Sequence, residues 1–212
     1  MKAMQSLNLD LSVLSRELDE LEAFLNASSA LKERAQVLPF FKQRQVLTAA
    51  IGLFATSITV PDQYAHELSF FGDFAADAAS GDSETGGILL IEFEDALPYS
   101  VFKQSVAGKV RPWSTRFEHG VSQLTDWVWR LSDEAPGSAA LKRIFGTTSP
   151  QIGLLLVIGR DADLDEADKA RLRWRTNNMK IGPFHMSCLT FDQVHASLKR
   201  RLTLATDVNS LP

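Results

Sequence analysis

Cysteine is almost missing from this chain of 212 residues, with Cys188 the single example. One cysteine excludes an intramolecular disulfide and any multi-cysteine metal knot. Within the apolar run at 184–189 it reads as a small buried hydrophobe. Histidine is scarce as well, and His66, His119, His185 and His195 show no paired helical spacing, which argues against zinc. No apolar run approaches membrane-spanning length, and the first residues hold no apolar signal-like core. The expectation is therefore a cytoplasmic protein in a reducing compartment. Excess positive charge is also lacking: the net charge of −4 counts against a nucleic-acid binder that relies on overall basicity. Internal repeats and low-complexity tracts are absent.

What is present is ordinary globular material, 45% hydrophobic and 23% charged, enough for one domain with a small helical extension. Leu11, Leu14, Leu18, Leu21 and Leu25 recur at spacings of three and four, the stripe of an amphipathic helix, with Asp10 or Ser12 as its cap. Ser29 is a cap for a second helix from Ala30 that Pro39 limits, and residues 40–54 form another helix-compatible segment. Residues 56–60 are β-branched and read as a strand, and 68–79 as the next. Small and turn-forming residues at 80–87 then lead into a strand at 88–94, giving an antiparallel hairpin. Ser114 or Thr115 starts a helix to about Leu131, with Phe117, Val121, Leu124, Val128 and Leu131 as its apolar stripe. A fully apolar strand at 152–158, a charged helix at 164–178 and a strand at 184–189 follow. Thr190 and Gln193 form a capping box for a last helix, with a flexible tail from Thr203. The order predicts a mixed-sheet α/β protein whose last strands run parallel through helical crossovers. Its expected organisation is a helical segment at 1–55, an α/β domain at 56–202 and a tail at 203–212.

The chemistry collects at the end of the 88–94 strand, where Ile91 gives way to Glu92-Phe93-Glu94-Asp95. Strand side chains alternate, so Glu92 and Glu94 share a face while Leu89, Ile91 and Phe93 fill the other. With the turn centred near Glu84 and Thr85, Asp77 falls opposite Glu92 across the hairpin. Facing residues of this kind have Cβ atoms about 4.5–5.5 Å apart, so one cation can bridge both carboxylates. Mg²⁺, or Mn²⁺, suits two carboxylates, waters and a backbone carbonyl, for which Phe93 is the candidate. Asp73 is an alternative to Asp77, and also a plain turn residue after Gly72. Asp95 reads as structural. Glu94 stands where a group must orient or deprotonate a water, or hold a second ion. A bare Glu-x-Glu at a strand end is more often solvated surface. The hairpin partner and the cations that follow shift the balance toward a phosphodiesterase site.

Those cations are Lys103, Lys109, Arg111 and Arg116, in a stretch with no acid between Asp95 and Glu118. They read either as a solvated loop or as a DNA-facing flap. On the helix after them His119, Gln123, Asp126 and Arg130 share one face, which the pattern alone would leave in solvent. Arg171, Arg173 and Arg175 spread around their helix, and neither they nor Lys199-Arg200-Arg201 need touch DNA. Trp127 and Trp129 read as core or interface aromatics.

The segments Gly72-Asp73-Phe74-Ala75-Ala76-Asp77, Ile91-Glu92-Phe93-Glu94-Asp95-Ala96 and Trp113-Ser114 resemble the Shedu immune nuclease domain of the PD-(D/E)xK-like superfamily. So do Arg116-Phe117-Glu118-His119-Gly120, Gln123, Asp126, Trp127 and the run Leu154 to Arg160. The likeness covers roughly residues 60–202. It implies a PD-(D/E)xK-like mixed sheet flanked by helices, and a Mg²⁺-dependent endonuclease used by bacteria against phage as a homo-oligomer, a dimer or tetramer. Asp77 and Glu92 match the metal-binding acids, and Gln123 matches an active-site glutamine. His119 is a further candidate beside it. Glu94 takes the place usually held by lysine, as glutamate does in some restriction enzymes of the superfamily. The alternative reading is a nuclease fold kept as a nucleic-acid-binding sensor without turnover. A third is an assembly protein whose N-terminal helices join subunits.

Overall fold

The computed structural model describes residues 3–72, 74–104 and 110–209. Seven strands form one mixed sheet in the order β1-β2-β3-β4-β5-β7-β6, where β1 is Gln5–Ser6, β2 Gln63–Phe70, β3 Phe74–Asp82, β4 Gly87–Phe93, β5 Gln151–Val157, β6 Lys180–Ile181 and β7 Phe184–Leu189. The first four strands pair antiparallel, whereas β4, β5 and β7 pair parallel. Helices cover both faces, so each face of the sheet has its own apolar core. The protein is thus a three-layer α/β fold with the mixed sheet in the middle.

One face is covered by α1 (Leu11–Ala27), α2 (Leu38–Lys42), α3 (Gln45–Ala50) and α7 (Phe191–Asn209). Asp10 caps α1 by accepting from the N–H groups of Ser12 and Val13 at 2.8 and 3.2 Å. The predicted leucine stripe is buried: Leu14, Leu18, Leu21 and Leu25 share a core with Leu89, Ile91 and Phe93 of β4. Arg160 ties the layer together, donating to the Leu25 carbonyl at 2.7 Å while its guanidinium grips the Asp192 carboxylate of α7.

The other face is covered by α4 (Thr115–Ser132), α5 (Ala139–Phe145) and α6 (Glu166–Asn178). Ser114 caps α4, its Oγ accepting from the Phe117 N–H at 2.9 Å. Phe117, Val121, Leu124, Val128 and Leu131 are all buried against the sheet, as the periodicity predicts. Full burial of a side chain such as Phe117 contributes about 2 kcal/mol. Thr190 and Gln193 form the reciprocal box at the start of α7, at 3.1 and 3.3 Å.

Four expectations are corrected. Residues 56–60 do not form a strand, because Asp82 Oδ2 takes the Thr59 and Val60 N–H groups at 2.8 and 3.0 Å. The 68–79 segment is two strands rather than one: the chain reverses at Phe71 and Gly72, whose φ angles are 56° and 85°. No helix starts at Ala30. Leu31 instead bridges to Ala96, a wide turn follows over Glu33–Val37, and Pro39 lies in the first turn of α2, where its missing N–H costs nothing. The predicted tail at Thr203 continues as helix to Asn209.

The hairpin register positions the site. Pairs run from Asp82↔Gly87 to Ala78↔Ile91, so the next position sets Asp77 beside Glu92 just where the ladder ends. On β4, Ile88 and Leu90 join the α4 core while Leu89, Ile91 and Phe93 join the α1 core. Alternation therefore turns Glu92 and Glu94 toward α4. Gly120 lets α4 approach them: a Cβ there would lie 2.6 Å from Leu156 Cδ1 and 3.3 Å from Glu94 Cγ.

Candidate active site

Asp77, from β3, and Glu92, from β4, form the centre. Their carboxyl groups lie within hydrogen-bonding reach of each other. Asp77 Oδ2 accepts from the Phe93 N–H at 2.9 Å. In an extended strand a residue's N–H and C=O leave on the same side, so the Phe93 carbonyl faces this edge too. Glu92 is only 3% exposed, and its Oε2 is buried with no hydrogen-bond partner among the described residues. Burial pushes both carboxyls well above the usual carboxylate range, and the like charges of Glu94 and Glu33 push them further. The Asp77 charge adds to the shift at Glu92.

Glu94 follows directly after β4 and is fully buried. Its Oε1 pairs with His119 Nδ1 at 2.7 Å, and Arg116 Nη1 lies 3.2 Å from its Oε2. Burial raises its pKa, while the His119 hydrogen bond and the Arg116 charge pull the other way. With Nδ1 turned to Glu94, the rest of the half-exposed imidazole points outward. Gln123 stands one helical turn beyond His119, and its Oε1 is buried without a partner among the described residues. The polar face of α4 that the pattern left in solvent is therefore turned, at His119, onto the end of β4.

Arg116 does not face solvent as a free cation. It meets Asp95 Oδ2 at 2.9 Å and Glu33 Oε2 at 3.5 Å as well as Glu94. Arg111 departs further from the DNA-facing expectation: its side chain is 10% exposed, bound to Asp168, and donates to the Asp163 and Lys103 carbonyls at 2.9 Å. A buried guanidinium spent on a carboxylate and backbone carbonyls cannot also hold DNA, and it serves to fix the segment before α4 to α6. Lys103 is exposed. Lys109 and Asp73 lie outside the described residues.

Glu33 was missed by the sequence reading. It comes from the turn after α1, is largely buried, and its N–H donates to Asp95 Oδ1 at 2.7 Å. Burial raises its pKa, countered by Arg116. No local spacing could have revealed it, because its partners Asp95 and Arg116 are far away in sequence. Arg116 thus gathers Glu33, Glu94 and Asp95, while Asp77 and Glu92 feel the like charges of Glu33 and Glu94. Such a surplus of carboxylates favours a cation. Among the described residues no three His, Cys, Asp or Glu side chains are already arranged as a metal cage. Two carboxylates and a carbonyl match an ion that keeps much of its water shell, as magnesium does.

The sequence pattern of the Shedu protein SduA C-terminal family matches residues 30–194. The chain belongs to that family, and membership suggests a part in anti-phage defence. The match includes Glu33 and every described member of the carboxylate cluster. No match was found among curated proteins. No helix among the described residues is long and apolar enough to cross a membrane.

Proposed function

We propose that the protein is a metal-dependent nuclease that cleaves DNA phosphodiester bonds in the cytoplasm during defence against phage, as a homo-oligomer. The observation that carries this reading is the Asp77–Glu92 pair: adjacent carboxyls, one buried and one partly buried, with an oxygen of Glu92 left without a donor among the described residues. Folding such a pair is costly unless both are protonated or a cation sits between them. Mg²⁺ or Mn²⁺ would be held by Asp77, Glu92 and the Phe93 carbonyl. Bound there, the ion supplies positive charge to the phosphate as charge develops in the transition state. Glu94, buried at the same strand end, orients the attacking water or takes its proton. His119 is held by Glu94 through Nδ1, which leaves Nε2 for the substrate; with both ring nitrogens protonated, it would donate to a phosphate oxygen. Gln123 offers its amide to the water or the substrate.

The test is direct. Purified protein with Mg²⁺ or Mn²⁺ is incubated with linear, nicked and single-stranded DNA, beside Glu92→Ala. Cleavage by the native chain and its loss in the variant is the expected result. Absence of cleavage by both, with equal DNA binding, supports the second reading, a sensor that binds without turnover. One observation favours that reading: Glu94 stands in the usual lysine position and is already engaged by His119 and Arg116.

A further inference from the structure

A cleft of about 500 Å³ opens beside the carboxylate site, lined by Trp113, Arg171, Trp174, Arg175, Asn178 and Met179. Its floor is built. Phe102, Trp113 and Phe117 form a row of rings with centroids 4.4 Å apart at each step. Arg171 lies over Phe102 and Trp113 at 4.7 and 5.3 Å, and Arg175 over Trp113 and Phe117 at 4.5 and 4.6 Å. Residues four apart on α6 share a face, so the two guanidiniums roof the rings together. Each is held from behind: Arg171 donates to the Arg111 carbonyl at 2.7 Å and Arg175 pairs with Glu118 at 3.2 Å. Trp174, between them in sequence, is 69% exposed and packs into no core.

Between Asp168 and Asp192 the sequence holds no acid, and of its cations Arg171 and Arg175 line the cleft, with Asp168 and Glu118 as their acidic neighbours. The first turns of α4 connect the cleft to the carboxylates. Glu118 of α4 reaches Arg175, and the following residue, His119, reaches Glu94. A chain lying across the first turns of α4 meets both places.

We infer that this cleft is a stacking subsite for an unpaired nucleotide of the nucleic acid bound at the carboxylate site. Immobilised guanidinium planes and an exposed indole are surfaces on which bases stack, and the positive charge of the same guanidiniums suits a nucleic acid. A fully paired duplex keeps its base faces covered, so the cleft selects single-stranded segments, frayed ends or flaps. The inference rests on the nucleic-acid reading of the carboxylate site but not on turnover.

The experiment uses the full chain carrying Glu92→Gln, with and without Trp174→Ala. Fluorescence anisotropy reports binding of a labelled oligothymidylate of about 12 nucleotides and of a blunt duplex. Trp174→Ala is expected to weaken oligothymidylate binding about tenfold, to change duplex binding less than about twofold, and to be rescued by Trp174→Phe. Equal oligothymidylate affinity with and without Trp174, or no single-strand binding at all, overturns the inference. So does a fall in sedimentation size on Trp174→Ala with DNA affinity unchanged, which would assign the cleft to a second copy of the chain. Cleavage that survives Glu92→Ala would sink the metal-site reading while leaving the stacking result standing. Unchanged binding in Trp174→Ala beside lost cleavage in Glu92→Ala would do the reverse.

Discussion

Asp77 and Asp82 sit on the same strand, β3, and the fold treats them in opposite ways. Asp82 is 3% exposed, yet its Oδ1 accepts from the Glu84 and Thr85 N–H groups at 3.0 and 3.1 Å, and its Oδ2 from Thr59 and Val60 at 2.8 and 3.0 Å. Burial pushes its carboxyl up, but the four donors outweigh burial and hold it down at about 2. Asp77 has one backbone donor, the Phe93 N–H, and Glu92 and Glu94 for neighbours. There burial wins and the carboxyl is raised. A buried carboxylate surrounded by donors is a structural pin; one that lacks them has its oxygens free for something else. The two ends of one hairpin show both cases.

The contrast breaks first, and most strongly, if the functional end tolerates substitution. Glu92→Gln is expected to cut DNA cleavage by roughly 10³-fold, the scale of losing a principal transition-state contact. Its melting temperature should hold or rise, because a neutral amide of the same shape replaces a carboxyl crowded by Asp77 and Glu94. Asp82→Ala is expected to do the opposite. It strands several N–H groups and should cost roughly 3 kcal/mol in urea unfolding. A stable Asp82→Ala or an unfolded Glu92→Gln would invert the assignment of the two ends.

Gly120→Ala sharpens the comparison by moving α4 away from the functional end alone. The added Cβ meets Leu156 at 2.6 Å, so overpacking should cost about 2 kcal/mol and displace His119 from Glu94. Cleavage should fall more than stability implies, read by comparing rate and unfolding in the same variant. Titration provides the gentlest test. Asp77 and Glu92 have raised native pKa values, so without a cation the folded state binds more protons than the unfolded one above the ordinary carboxylate range. Stability should therefore decline from about pH 5, to about pH 7 for the Asp77 proton and on to about pH 10 for that of Glu92, by on the order of 1 kcal/mol per pH unit for each such proton. Adding Mg²⁺ should restore it. Asp82 contributes with the opposite sign: its stabilisation is present above the unfolded carboxylate value and is lost as pH falls toward about 2.

Much of this arrangement was legible in the sequence because local rules govern it. The Gly-rich turn set the β3–β4 register that brings Asp77 to Glu92, and period-two alternation chose the face of Glu92 and Glu94. The α4 stripe, the Ser114 cap and the Thr190–Gln193 box follow from helix periodicity and capping. The turn at Phe71-Gly72 was only half legible: Gly72 carries the usual signal, but Phe71, an aromatic residue at positive φ, and the apolar residues before it read as continuous strand. The 56–60 segment has strand composition, but Asp82 claims its N–H groups across the fold. Glu33 and the burial of Arg111 depend on contacts between distant segments, which no local pattern encodes. The arginines of α6 looked scattered by alternation, yet Arg171 and Arg175 converge because they are one turn apart.

Binding of Mn²⁺ to the native chain and to Glu92→Gln, followed by electron paramagnetic resonance at neutral pH, reaches the central claim without relying on a substrate. Saturable binding of the ion by the native chain, abolished by the substitution, is the predicted result. Equal binding by both, or none by the native chain, would contradict a cation held between Asp77 and Glu92.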